Sequence, residues 1–395
     1  MRVALVHDWL VTYGGAERVL EQMLECFPAA DLYSLVDVLP PGERHFLRGR
    51  HVHVSPLQRL PFVRTRYRSY LPVMPLAVEQ FDLAGYDLVL SSSHAIAKGV
   101  LTGPNQLHLS YCHSPMRYAW DMQHQYLRES KLDRGMRGVA ARYLLHRLRR
   151  WDARTAAGVD QFAANSQYIA RRIRKAYGRE SVVIYPPVDV DGFATAGGKD
   201  DFYVTASRLV PYKRVDLVVQ AFAGMRGRRL VVIGGGPEEA RIRAAAPANV
   251  TVLGQQSIDV LRDHLQRARA FVFAAEEDFG IAPVEAQACG TPVIAFGRGG
   301  ACETVRGLDA PAPTGLLFAE QSAAAIRDAV AEFERSESRI TRHACRTNAL
   351  RFAPERFRAE LLAFVRAASG EGPAHARGRP AGARVHAPFR AGRRP

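Results

Sequence analysis

Short β-rich runs alternate with helical patterns along the chain. Val3 to Val6, Leu88 to Ser91, Leu109 to Cys112, Gln161 to Ala164 and Val182 to Tyr185 read as strands in the first half. Phe202 to Ala206, Leu230 to Ile233, Val250 to Leu253, Ala270 to Ala274, Pro292 to Phe296 and Gly315 to Phe318 repeat the rhythm in the second. Between the first two strands, Ala16, Val19, Leu20, Met23, Leu24 and Phe27 recur at helical spacing, with Glu17, Arg18, Glu21 and Glu25 opposite, which predicts an amphipathic helix.

Such alternation predicts an α/β fold: two parallel sheets, each wrapped by helices. The stretch YPPVDVDGFATAGGKDD, residues 185–201, breaks both periodicities with paired prolines and glycines, and the domain boundary is placed there. The expected division is 1–185, 186–365 and a tail, 366–395, with the apolar stripe Phe357, Leu361, Phe364 and Val365 closing the second domain. Ligands of open parallel sheets gather outside the carboxyl ends of the strands, so two such sheets facing each other enclose a single cleft.

Composition narrows the class. The 395 residues are 47% hydrophobic, enough apolar material for two cores, which excludes wholesale disorder. No run approaches the ~18 to 20 apolar residues of a membrane-spanning helix. The opening meets His7 and Asp8 too soon for a signal peptide, so a cytoplasmic protein is expected. Five cysteines without a C-x-x-C pair predict reduced, buried thiols and no zinc knuckle.

Charge is the unusual feature. The net +15 comes from 54 basic residues against 39 acids, and it is concentrated. From Arg366 onward seven arginines lie in a Pro/Gly/Ala background without periodicity, which predicts disorder. Residues 128–154 hold nine basic side chains against Glu129, Asp133 and Asp152. Between Leu57 and Leu76, Arg59, Arg64, Arg66 and Arg68 interleave with Phe62, Val63, Tyr67, Tyr70, Leu71 and Met74, a mixture suited to an anionic membrane surface. Arginine stems covering an ordinary core would produce the same pattern. A basic nucleic-acid-binding protein is the main non-enzyme alternative, since Arg-rich tails bind polyanions, but no groove-reading motif accompanies the charge and nucleic acid is not expected as a partner.

Several βα junctions carry candidate chemistry. In FVFAAEEDFGIAPVEAQACGTPVIAF, Glu277 sits in a loop and Glu285 eight positions later on the following helix, so one site could see both. That helix begins near Ile281 with unpaired N–H groups suited to a phosphate, and Gly280 permits close approach. Arg208 follows another strand and Lys213 lies five residues on, two cations over one sheet edge. The first strand delivers His7 and Asp8 into a loop ending at Gly14 and Gly15, directly before the amphipathic helix. The segment YCHSPMRYAWD places His113, Arg117 and Asp121 past a strand end, and His113 is the strongest histidine candidate. The Asp189-Val190-Asp191 triplet lies in the linker and is rejected as a metal site. Neither a phosphate-binding G-x-x-x-x-G-K-[ST] loop nor G-x-G-x-x-G occurs, which removes the main support for kinase and dehydrogenase readings.

The motifs SRLVPYK, the E-x7-E pair and the early GGAER together resemble retaining glycosyltransferases of the GT-B fold, from Met1 to about Phe364. LPFVRTRYRSYLPVMPLAVEQ and YCHSPMRYAWD further resemble bacterial mannosyltransferases of O-antigen, capsule or exopolysaccharide assembly. The resemblance implies that Glu285 binds the nucleotide ribose, Glu277 the donor sugar, and Arg208 and Lys213 the diphosphate. Gly14, Gly15, Phe279, Gly280 and Ile281 would line the donor site, with His113 holding the sugar and Asp8 and Arg117 on the acceptor side. Asp278 stands where that family commonly has glycine, and an added carboxylate there bears on donor choice. The implied donor is a nucleotide-sugar, GDP-mannose before a UDP-hexose, and the acceptor a polyprenyl-diphosphate-linked oligosaccharide, with no metal. A GT-B sugar-nucleotide epimerase or phosphorylase would share these features.

Overall fold

The computed structural model describes residues 1–195 and 197–370. Seven strands form the first sheet: β1 (Val3–His7), β2 (Asp31–Ser34), β3 (Val52–Val54), β4 (Leu88–Ser93), β5 (Leu107–Cys112), β6 (Gln161–Ala164) and β7 (Ser181–Val183). They pair in parallel in the order β3-β2-β1-β4-β5-β6-β7. Six more form the second: β8 (Tyr203–Ala206), β9 (Leu230–Ile233), β10 (Val250–Gly254), β11 (Ala270–Phe273), β12 (Val293–Phe296) and β13 (Gly315–Phe318). Their order is β10-β9-β8-β11-β12-β13, again all parallel. β1, β4, β8, β11 and β12 are buried throughout, as strands covered by helices on both faces must be.

The predicted amphipathic helix spans Gly15–Cys26 and buries Val19, Leu20, Met23 and Leu24. Glu17, placed on the face opposite the apolar stripe, is itself buried. Gly14 precedes the helix, and its N–H donates to the Glu17 carboxylate at 3.0 Å, the reciprocal contact of a capping box.

The domain ends differ from expectation. The terminal helix Pro354–Ala368 packs its Phe357, Leu361, Phe364 and Val365 into the core of the first sheet, beside Val19, Leu20 and Met23. The Phe357 ring stands 5.7 Å from that of Tyr111 on β5. The helix also runs on past Arg366, because Ala367 and Ala368 favour it, and left-handed Gly370 follows its end. The remainder of the expected tail, 371–395, lies outside the described residues.

The linker is less exposed than its glycines and prolines suggest, because Val188, Val190 and Phe193 are buried in the second domain's core. The chain crosses between domains twice, side by side. Val188 N–H donates to Phe352 C=O at 2.9 Å, and Arg356 Nη2 to Tyr185 C=O at 2.8 Å. Cys112, Cys289 and Cys345 are buried free thiols, whereas Cys302 is exposed. No helix among the described residues is long and apolar enough to cross a membrane.

Candidate active site

The carboxyl ends of both sheets face one cavity of about 1390 Å³. From the second domain, β8 ends at Ala206 and hands over to Arg208, while buried Leu209 anchors the turn through its N–H to Gly235 C=O at 2.9 Å. A short turn, Pro211–Lys213, then brings Lys213 over the same edge. Lys213 Nζ contacts the Glu277 carboxylate. Burial, with the Arg117 guanidinium adding to it, pulls the Lys213 ammonium down to about 7, and contact with Glu277 favours the charged form.

Glu277 is held by its backbone. Gly300 N–H donates to Glu277 C=O at 2.7 Å, and a Cβ at Gly299, where φ is +69°, would stand 2.2 Å from that oxygen. Only glycine fits this approach. Gly280, at φ +88°, turns the chain into the helix Ile281–Ala288, whose first turn faces the cavity and whose Glu285 is nearly buried. Phe279 packs between Tyr185 and Phe352 at the two interdomain crossings, with ring separations of 5.8 and 5.3 Å.

From the first domain, Gly14 and Gly15 reach the same helix. A Cβ on Gly15 would lie 2.9 Å from Ile281 Cδ1. Arg18, one turn into the helix Gly15–Cys26, donates Nη1 to Glu285 Oε1 at 2.6 Å across the cleft. Burial works against the Arg18 charge, and Glu285 outweighs it and raises the guanidinium above its ordinary value.

His113 follows β5 and lines the cavity. Its backbone N–H donates to Ser93 C=O at 2.8 Å, and its ring Nε2 lies 2.8 Å from Ser92 Oγ. Burial, reinforced by His94, holds the imidazole well below its ordinary range, so it is neutral at pH 7.

Two expectations change. Asp8 does not line the cavity: it is fully buried and accepts the backbone N–H groups of His94, Ala95, Ile96 and Ala97 at 2.6 to 3.0 Å. It also holds His94 Nδ1 at 3.0 Å, so its work is to fold the 94–97 turn. Arg117 does line the cavity, but it spans to Asp278, which Arg172 Nη1 also reaches at 3.1 Å. Asp278 is therefore committed to two arginines of the other domain. The linker carboxylates are likewise engaged: Asp189 accepts Gly192 N–H at 2.9 Å and Asp191 pairs with Arg346 at 3.0 Å.

Arg18, His94 and Arg172 were missed from sequence. Arg18 reads as an ordinary polar-face residue, and only the GGAER context marks it. His94 follows the run Ser91-Ser92-Ser93 at the end of β4, a location that could have singled it out. A further interdomain contact caps the helix Gln167–Tyr177, where Glu303 accepts the N–H groups of Gln167 and Tyr168 at 2.7 and 2.9 Å.

Two parallel α/β domains facing across a cleft, with the carboxyl ends of both sheets lining it, define the GT-B architecture. The backbone resembles those of a sucrose-phosphate synthase from Thermosynechococcus elongatus (TM-score 0.71, 18% identity, 94% of this chain and 100% of that one) and of HepE from Anabaena in complex with UDP-glucose (TM-score 0.64, 18% identity, 93% and 100%). Residues 13–191 match the family model Glycosyltransferase Family 4, and residues 192–352 the model Glycosyl transferases group 1. Between them the two matches run through most of the chain, which thus carries a Glycosyltransferase Family 4 domain followed by a Glycosyl transferases group 1 domain. Among curated relatives, the chain is 34% identical over 210 residues to a GDP-mannose-dependent alpha-(1-6)-phosphatidylinositol monomannoside mannosyltransferase of Mycobacterium tuberculosis, covering 45% of this chain and 54% of that one. It is 31% identical over 241 residues to a D-inositol 3-phosphate glycosyltransferase of Mycobacterium bovis, 54% of this chain and 49% of that one. The chain spans about half the length of the curated relatives it matches.

Proposed function

We propose that the chain transfers a hexose, mannose from GDP-mannose, with retention of configuration onto a lipid-linked saccharide in bacterial surface polysaccharide synthesis. The observation that carries this reading is the convergence of Arg208, Lys213, Glu277, Glu285, the Gly14-Gly15 loop and the start of the helix Ile281–Ala288 on one cavity. Departure of a nucleoside diphosphate builds negative charge beside the anomeric carbon. Arg208, Lys213 and the free N–H groups of that helix are placed to stabilise the charge as it forms. Glu285 would take the ribose hydroxyls once Arg18 yields, and Glu277 the sugar hydroxyls. With Glu277 engaged by Lys213, acceptor attack on the face that the leaving group vacates accounts for retention without a carboxylate nucleophile.

The mannose assignment draws on the M. tuberculosis relative, whose name gives GDP-mannose as its donor. A polyprenyl-diphosphate-linked acceptor and peripheral attachment to the inner membrane face draw on surface chemistry. Phe62 (71% exposed), Leu76 (63%) and Met136 (83%) project beside Arg64, Arg66, Arg134 and Arg137. Residues from both segments, Arg68, Leu71, Leu144 and Leu145 among them, line the same cavity. Incubation with GDP-mannose and a synthetic polyprenyl-diphosphate saccharide, followed by NMR of the product, is expected to give an α-mannoside. A β-linked product would overturn retention. Release of an epimerised free sugar from donor alone would overturn transfer.

A further inference from the structure

The sheet edge that carries His113 also carries a line of buried polar groups behind it. Parallel pairing sets His7 of β1 beside Ser92 of β4, and Ser93 beside Cys112 of β5, so that His113 comes next in register. Ser92 Oγ lies 3.1 Å from His7 Nδ1 and 2.8 Å from His113 Nε2. At the far end His7 Nε2 stands 3.5 Å from Glu17 Oε1, within reach of its charge but without a hydrogen bond, while Glu17 Oε2 accepts the Gly14 N–H at 3.0 Å. His7 is fully buried, Ser92 and Glu17 nearly so, and none of the three lines the cavity. The neighbouring His94 takes no part, because its Nδ1 is given to Asp8.

The hydrogens along this line are countable. Burial alone would raise the Glu17 carboxyl, and His7 with the backbone N–H groups of Glu17 and Gly14 outweighs it, keeping the carboxylate ionised. A ring lone pair aimed at a carboxylate 3.5 Å away is repelled by it, so a His7 ring with one proton keeps it on Nε2, facing the charge, and offers Nδ1 as an acceptor. The Ser92 hydroxyl has a single hydrogen, which then goes to His7, leaving its oxygen to accept from His113. The proton of neutral His113 is thereby fixed on Nε2.

We propose that Glu17, His7 and Ser92 are positioning residues that hold His113 in its Nε2–H tautomer, leaving Nδ1 to accept a hydroxyl hydrogen from a ligand in the cavity. Among the described residues the one side chain hydrogen-bonded to the His113 ring is Ser92, and it takes Nε2. That the hydroxyl belongs to a sugar rests on the proposed transfer reaction; the tautomer does not. Because Glu17 also holds the Gly14 N–H, one carboxylate ties the glycine loop of the first domain to the histidine.

The test reads the ring nitrogens of His113 by NMR in the full chain labelled with 15N-histidine, without ligand, His113→Gln supplying the assignment. The wild type is expected to show Nε2–H. Glu17→Gln is expected to invert it. Gly14 N–H needs the amide oxygen, so the NH2 group turns to His7 Nε2, His7 donates through Nδ1, Ser92 donates to His113 Nε2, and the His113 proton moves to Nδ1. Ser92→Ala is expected to leave a mixture of tautomers and Ser92→Thr to restore Nε2–H, so the outcome does not hang on a single variant. Turnover of GDP-mannose is expected to fall roughly tenfold in kcat for Glu17→Gln, with KM within about twofold. A wild-type Nδ1–H signature, an uninverted Glu17→Gln, or an inverted tautomer with unchanged kcat overturns the proposal. A chain that inverts its tautomer as stated but turns over no nucleotide-sugar keeps the relay and removes the transfer reading.

Discussion

Replacing Asp8 by Asn separates a folding role from an acceptor-binding one. The Asp8 carboxylate takes four backbone N–H groups, two on each oxygen, and the His94 ring. An Asn side chain has one oxygen and can satisfy two of the four, while its NH2 group faces the other two donor to donor. Each charge-assisted bond lost contributes about 1.5 to 3 kcal/mol, so the substitution should cost about 3 to 5 kcal/mol. For a domain of this size that lowers the thermal midpoint by roughly 6 to 20 °C, measurable by circular dichroism. Burial would raise the carboxyl, but His94 and the backbone N–H groups overcome it and hold Asp8 well below its ordinary range. A depressed value means that the stabilisation is complete above the unfolded value of ~4 and fades as pH falls toward the folded one. The gap between wild type and Asp8→Asn should therefore narrow in acid. Acceptor KM measured at 15 °C, well below the variant's midpoint, should stay within about twofold. A wild-type midpoint together with a large rise in acceptor KM would refute the folding role and restore Asp8 to the acceptor side.

Lys213→Ala should depress kcat by about two to three decades, the usual effect of removing one donor to a developing anion, and an unchanged rate in a single-turnover assay would remove it from the mechanism. Gly299→Ala forces a Cβ against Glu277 C=O at 2.2 Å and an alanine into left-handed backbone, so kcat/KM should fall at least about tenfold. Full activity in that variant would show that the Glu277 loop tolerates the shift. Phe62→Asp combined with Leu76→Asp, both at exposed positions, should cut sedimentation with phosphatidylglycerol vesicles about tenfold without moving the thermal midpoint. Equal sedimentation would place membrane contact elsewhere or nowhere.

Most of the parallel strands were legible because fully buried strands are continuous apolar runs. Two, β2 and β3, were not. β2 reads Asp-Leu-Tyr-Ser and β3 only Val-His-Val, too short and mixed to stand out from loops. The terminal helix shows why periodicity finds a face but not its address. The Phe357, Leu361, Phe364 and Val365 stripe says that something is covered, and only the chain's double crossing beside Phe352 says that it is the first sheet. In the site, Arg208, Lys213, Glu277, Glu285 and His113 were readable from their βα junctions, and the structure puts all five around one cavity, His113 from the first domain and the others from the second. Glu17 and Arg18 were misassigned for the opposite reason. A polar residue opposite an apolar stripe is expected to meet water, yet one is buried against His7 and the other reaches Glu285 of the second domain. The Arg18 contact arises only when the two domains meet, and it leaves no period in either.

The central claim, that a nucleoside diphosphate sugar lies between these domains, is most directly tested by a crystal structure of the chain with GDP-mannose. The account predicts the diphosphate within hydrogen-bond reach of Arg208, Lys213 and the start of the helix Ile281–Ala288, the ribose on Glu285 with Arg18 displaced, and the sugar on Glu277. Nucleotide bound away from this cavity, or a ribose with the Arg18–Glu285 pair still closed over it, would contradict it.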